Sequence, residues 1–386
     1  MWRVALVIVA LALGGFHRDV GLESDGQVAL PERLTHDEYW AMSLAQSEPS
    51  APFLSDNLVS NEMSFAQVVP QIRQAGTNGG AYLGVGPEQN FTYLDVLRPR
   101  IAFIVDIRRE NLLLHLMYKA LFDVSPDRRA FLANLFGRPV RRDTNGEPTG
   151  AELMDAVADS PEGPDEFRDF LTRLVDRTLR GYAAPLDARD FQKIREFQLA
   201  FFQYGPAIGY ATTLLQRPVG VASFANLMSQ TDAEGRNLGF LASESGYRFV
   251  RDMHRRNMVI AVVGNFAGPR AIRGIGQYLR QHDTTVSAFY VSNVEDYLGR
   301  ERSIPRNGDW QAFCRNAATL PITPRSVFIR PHGLAVVDSD GLWRLSKDMV
   351  VASASIDRVP PTTRDGLPDA LSPIAAEVAY CAGQLH

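Results

Sequence analysis

Cysteine is scarce. Two residues, Cys314 and Cys381, stand in a chain of 386, too few for a disulfide-built scaffold. They either form a single bond in an oxidising compartment or remain two buried thiols. There is no C-x-x-C, no H-E-x-x-H and no Cys/His cluster, so neither a structural zinc nor a zinc hydrolase is signalled and no metal ligand is expected. A G-x-S-x-G elbow and a P-loop lysine are also missing, which leaves hydrolysis without a residue set. Charge of one sign is not in excess: 40 Lys+Arg against 44 Asp+Glu give a net charge of −4, which argues against general nucleic-acid binding, since phosphate contacts need a basic surface. No internal repeat or low-complexity tract stands out.

Long apolar runs are short in supply as well. The N-terminal one, Val4 to Gly15 behind Met1-Trp-Arg3, falls below the roughly 20 residues a spanning helix needs. One positive charge, a short apolar core and the small residues Ala12 and Gly14 read as a secretory signal. Residues 1–20 are therefore expected to be a signal peptide or an N-terminal anchor, with membrane attachment through residues 4–15 and the body exported to the periplasmic side. The alternative is an apolar first element of a cytoplasmic protein.

What is present, 45% hydrophobic and 22% charged residues, is the composition of a globular protein with a large core. Its organising stretch is Ala81-Tyr-Leu-Gly-Val-Gly-Pro-Glu-Gln-Asn90, which leads into the apolar run Ile101-Ala-Phe-Ile-Val-Asp106. A glycine turn after a strand, a helix, then a second strand ending in an acid is a common grip on a nucleotide-type cofactor. Glycine lets the backbone approach, the helix start offers free N–H groups, and the acid takes the ribose. Asp106 follows Gly86 by the expected interval of about 20 residues. Gln89 replaces the third glycine of the dinucleotide pattern, and Glu88 beside the loop would repel a pyrophosphate. A ligand without phosphates fits better, and S-adenosylmethionine is the common one.

The α/β rhythm returns with Met258-Val-Ile-Ala-Val-Val263, a second glycine turn over Gly264-Asn-Phe-Ala-Gly-Pro269, a helix over residues 270–281 and a strand over 286–291. A doubly wound Rossmann-like parallel sheet is the expected fold. Its halves are placed at residues 76–122 and 258–335, after a polar helical lead-in over 21–75. A helical insertion over 123–257 separates them, and 336–386 form a tail. Gly84, Gly86, Asn90, Asp106 and Asn265 are the candidate cofactor-binding residues. The segment from Phe53 to Glu62 interleaves short polar side chains with Leu54, Leu58 and Val59, so it is expected to be partly buried over the sheet edge. Glu62 and Asn57 are the candidate catalytic residues, and Asp56, Asn61 and Asn293 the candidate substrate contacts. His115 reads as a satisfied core histidine and Tyr93 and Tyr118 as core or pocket lining; Arg108 and Arg109 either pair with Asp106 or bind an anionic substrate, with a solvated ion pair as the default.

Together Phe53-Leu-Ser-Asp-Asn-Leu-Val-Ser-Asn-Glu62, Gly84-Val-Gly-Pro-Glu-Gln-Asn-Phe-Thr-Tyr93, Ala102-Phe-Ile-Val-Asp-Ile-Arg-Arg109 and Gly264-Asn-Phe-Ala-Gly-Pro269 resemble a family of bacterial hypothetical proteins regarded as methyltransferase-like. The likeness runs from about residue 50 to 335. It implies a methyltransferase-like fold and S-adenosylmethionine as cofactor, with Gly84 and Gly86 in the first motif and Asp106 as the acid ending the second strand. Departures are visible: Tyr82 and Leu83 stand where an acid usually precedes the glycines, and Asn265-Phe266 is followed by glycine before Pro269. Two readings follow: a methyltransferase with an unknown acceptor, or an exported, non-catalytic protein that binds a nucleoside-type or other small ligand on the same scaffold.

Overall fold

A computed structural model describes residues 28–53, 57–62, 64–140, 147–210, 223–232, 234–298, 308–330, 335–337, 343–345 and 371–383. The expected signal or anchor, residues 4–15, and the candidate Asp56 lie outside the described residues. The first helix, α1 (His36–Gln46), begins where the Thr35 hydroxyl accepts from the Glu38 N–H and the Glu38 carboxylate returns a bond to the Thr35 backbone. A 3-10 turn over Phe65–Val68 runs into α2 (Val69–Ala75), which Gly76 ends in a left-handed conformation.

The sheet then starts: β1 (Ala81–Gly84), α3 (Gln89–Leu97), β2 (Ile101–Asp106) and α4 (Arg109–Val124). A helical stretch follows, α5 (Arg128–Phe136), α6 (Gly150–Ala158), α7 (Asp165–Gly181), α8 (Ala188–Tyr204), α9 (Phe224–Met228) and α10 (Glu244–Arg255). The chain returns with β3 (Val259–Val263), α11 (Ala271–Gln281), β4 (Val286–Tyr290), α12 (Val294–Tyr297), α13 (Asp309–Ala317) and β5 (Ile322–Ile329). Two short strands, β6 (Ala335–Val337) and β7 (Trp343–Leu345), pair with each other, and β8 (Leu371–Pro373) leads into α14 (Ile374–Gly383).

The six-stranded sheet has the order β3-β2-β1-β4-β5-β8. Its first five strands are parallel and β8 runs antiparallel beside β5. The protein is thus α/β with a mostly parallel sheet in Rossmann-like order. Every residue of β1 to β4 is buried, which is why these strands read as continuous apolar runs rather than alternating ones. Two series of touching helices flank them: α1, α11, α13 and α14, and α2, α3, α10 and α4. The stretch over 123–257 is largely helical, yet α10 packs on α3 and α4 beside the sheet, so the inserted part ends before Glu244. Phe91, Phe122, Phe131, Phe240 and Tyr247 join the two parts in one aromatic core, their ring centroids 4.6–6.2 Å apart. Among the described residues no helix is long and apolar enough to cross a membrane.

Candidate functional site

The glycine turn after β1 is built from behind. The buried Asn90 amide donates to the carbonyls of Val85 (3.0 Å), Gly86 (3.1 Å) and Pro87 (2.8 Å), and its Oδ1 accepts from the Tyr82 hydroxyl at 2.7 Å. A Cβ at position 84 would lie 2.1 Å from that Oδ1, so Gly84 is glycine to admit Asn90. Gly84 and Asn90, expected to touch a cofactor, instead shape the turn and do not line the cavity in front of it. Gly86 does line it, with φ +75, a left-handed conformation that costs a side chain little only at glycine. His115 closes the turn from the core through Nε2 to the Gly86 carbonyl at 2.9 Å; burial pushes its pKa down to about 4, so it is the neutral donor.

The cavity, about 240 Å³, opens at the carboxyl ends of β1, β2, β3 and β4. Of the residues named from the sequence, Asn57, Asn61, Gly86, Asp106, Asn265 and Asn293 meet there. Leu58 and Val59 turn into the core while Asn57, Ser60 and Asn61 face the cavity, which explains the interleaved pattern of that segment. Phe53 and Tyr297 add an aromatic pair, rings 5.5 Å apart and edge-on, and Tyr210 reaches in from the helical insertion. Tyr210 and Tyr297 carried no sequence signal, being single aromatics far from any glycine turn.

Asp106 is held by its near neighbour. Arg108 donates to Oδ1 from its backbone N–H (2.9 Å) and Nε (3.0 Å), and to Oδ2 from Nη2 at 2.9 Å. Both side chains are buried, so the expected solvated pair is a desolvated one. Arg109 leaves the site altogether, forking onto Asp190 of α8 at 2.8 and 2.6 Å. Three of the carboxylate's roughly four acceptor positions are used, which leaves Oδ2 able to take a ligand hydroxyl.

Three glutamates depart from their sequence readings or escaped them. Glu62, a candidate catalytic residue, does not line the cavity; it accepts from the Tyr290 hydroxyl at 2.6 Å and from the Ser292 hydroxyl. Glu88 does not face the loop as a repelling charge: it is fully buried, accepts from the Ser60 N–H at 3.1 Å, and burial raises its pKa to about 7. Glu48, in a linker with no motif, fills the second glycine turn, accepting from the N–H groups of Asn265 (3.1 Å), Arg270 (2.7 Å) and Ala271 (3.0 Å). The start of α11, where an anionic ligand would be drawn, is already occupied by the chain's own carboxylate. Among the described residues no group of three or more His, Cys, Asp or Glu is placed to hold a metal. Cys314 on α13 is disulfide-bonded, not a free thiol.

The chain belongs to the family described as Domain of unknown function (DUF7790), whose model matches residues 57–145 and 207–346, more than half of its length. The match takes in the cavity-facing segment from Asn57, the first glycine turn and β1 to β5. It leaves out the span that holds α6, α7 and α8. None of the curated proteins compared with the chain matches it.

Proposed function

We propose that the cavity binds a nucleoside-type ligand without phosphates, and that S-adenosylmethionine is that ligand in a methyltransferase-like protein whose acceptor is unknown. The observation that carries this reading is that left-handed Gly86 and Asp106 open onto one cavity, at the carboxyl ends of adjacent strands. There the sheet order turns back between β1 and β4, the place where ligands of such sheets sit. Phosphate-free chemistry is supported by Glu48 in the second glycine turn and by Pro87, which brings no N–H to the first. The volume, about 240 Å³, lies below the roughly 300–1,000 Å³ usual for drug-sized ligands and suits a single nucleoside better than a dinucleotide. Gly86 would admit the ligand to the backbone, Asp106 Oδ2 would take a ribose hydroxyl, and the amides of Asn57, Asn61, Asn265 and Asn293 would pair its neutral polar groups. The cofactor would supply an electrophilic methyl on sulfur, and the protein's task would be to orient the acceptor in line with it.

Two observations favour the exported, non-catalytic reading. Glu62, a catalytic candidate from the sequence, does not line the cavity and accepts from Tyr290 and Ser292 instead. The Cys314 disulfide suits an oxidising compartment, in keeping with export. A thermal-shift series with adenosylmethionine, its demethylated product, adenosine and NAD tests the ligand class. The first two should raise the melting point and NAD should not, and no shift with either at saturating concentration would refute it. Methyl transfer to a cell extract then separates enzyme from binding protein.

A further inference from the structure

Six described residues other than glycine have a left-handed backbone, and two of them, Asn57 (φ +49) and Ser292 (φ +52), line the candidate cavity. Asparagine tolerates this region, whereas serine does so at a cost and needs surroundings that hold it. Ser292 follows β4, directly before Asn293, and its hydroxyl donates to Glu62 Oε1. The other oxygen of Glu62 accepts from Tyr290, and Gln89 Nε2 of the first glycine turn donates to that hydroxyl at 3.2 Å and to the Val85 carbonyl at 3.3 Å. One carboxylate therefore joins three walls: the segment ending at Glu62, the turn before α3 and the turn after β4. Tyr290 is fully buried, and burial followed by the nearby Glu62 charge keeps it protonated as the donor.

We infer that Glu62 is a positioning residue, which holds Ser292 in its left-handed conformation and so fixes Ser292 and Asn293 at the cavity rim, rather than a group that meets the ligand. This explains why a carboxylate sits beside the site without lining it. The inference rests on the proposed ligand only through the binding arm of its test. Removing the carboxylate should let residue 292 relax and carry Asn293 away, while glycine at 292 adopts the left-handed backbone without being held. The test compares wild type, Glu62→Ala, Ser292→Gly and the double variant by calorimetry with S-adenosylmethionine and by melting temperature without ligand. Glu62→Ala should weaken binding about tenfold or more, the size of effect such backbone strain commands. Adding Ser292→Gly should restore most of the loss and part of the melting temperature. A double variant that binds as weakly as Glu62→Ala would show that Glu62 does not act through the backbone of residue 292, and would overturn the inference. Should wild type not bind adenosylmethionine, the ligand reading fails by itself. The inference then stands if Ser292→Gly recovers melting temperature in the Glu62→Ala background and falls if it does not.

Discussion

Arg108 reaches back two residues to clamp Asp106, Nε to Oδ1 at 3.0 Å and Nη2 to Oδ2 at 2.9 Å, with both side chains buried at the edge of the cavity. Taking one partner from a desolvated pair leaves the other charge uncompensated, a loss of about 3–5 kcal/mol. Asp106→Ala and Arg108→Ala should each lower stability by that order in urea unfolding, and the double variant should cost clearly less than their sum. Additive losses would show that the pair is not coupled.

Asn90 and Asn293 separate building from lining. Asn90→Ala strips the amide that joins three carbonyls and the Tyr82 hydroxyl, and should cost about 2–4 kcal/mol. Asn293 is exposed at the cavity rim, so Asn293→Ala should change stability by less than about 0.5 kcal/mol and act on binding instead. Equal stability losses in denaturant titrations would contradict this division.

Glu88 gives a pH dependence opposite to the usual one for a carboxylate. Burial raises its pKa from 4.5 to about 7, so between those values the unfolded chain is ionised and the folded one still holds the proton. Its contribution is present in full below about pH 4.5 and lost as pH rises through about 7. His115, pushed from 6.5 down to about 4, works the other way, losing stability as pH falls through that window. The two largely offset each other in the wild type. Glu88→Gln removes one, so its stability relative to wild type should improve by about 3 kcal/mol from pH 4.5 to pH 7.5. Parallel stability curves would show that Glu88 does not titrate in that range.

The strands were legible because a parallel sheet buried on both faces demands unbroken apolar runs, and Ile101–Asp106 and Val259–Val263 are such runs. The glycine turn at Gly86 was legible for an equally local reason, glycines directly after an apolar run, and the structure gives it a left-handed backbone. The cavity-facing role of residues 57–61 came from their alternation with Leu58 and Val59. What could not be read was which polar side chain faces ligand and which faces protein. Asn90 and Asn61 look alike in sequence, and only the packing of Tyr82 against the turn sends Asn90 inward. Glu48 and Glu62 act on partners more than 200 positions away, a separation that no spacing rule reaches.

The central claim, that the left-handed glycine turn and Asp106 form a nucleoside-type site, is tested most directly by calorimetric titration of S-adenosylmethionine into wild type and Gly86→Val. Valine at φ +75 meets Gln89 Nε2 at 2.9 Å and carries a left-handed backbone cost of about 1–2 kcal/mol, which a large core tolerates. The account predicts saturable binding to wild type and its loss in a variant that remains folded by circular dichroism. Equal affinity in the two proteins, or no heat from wild type at millimolar ligand, would contradict it.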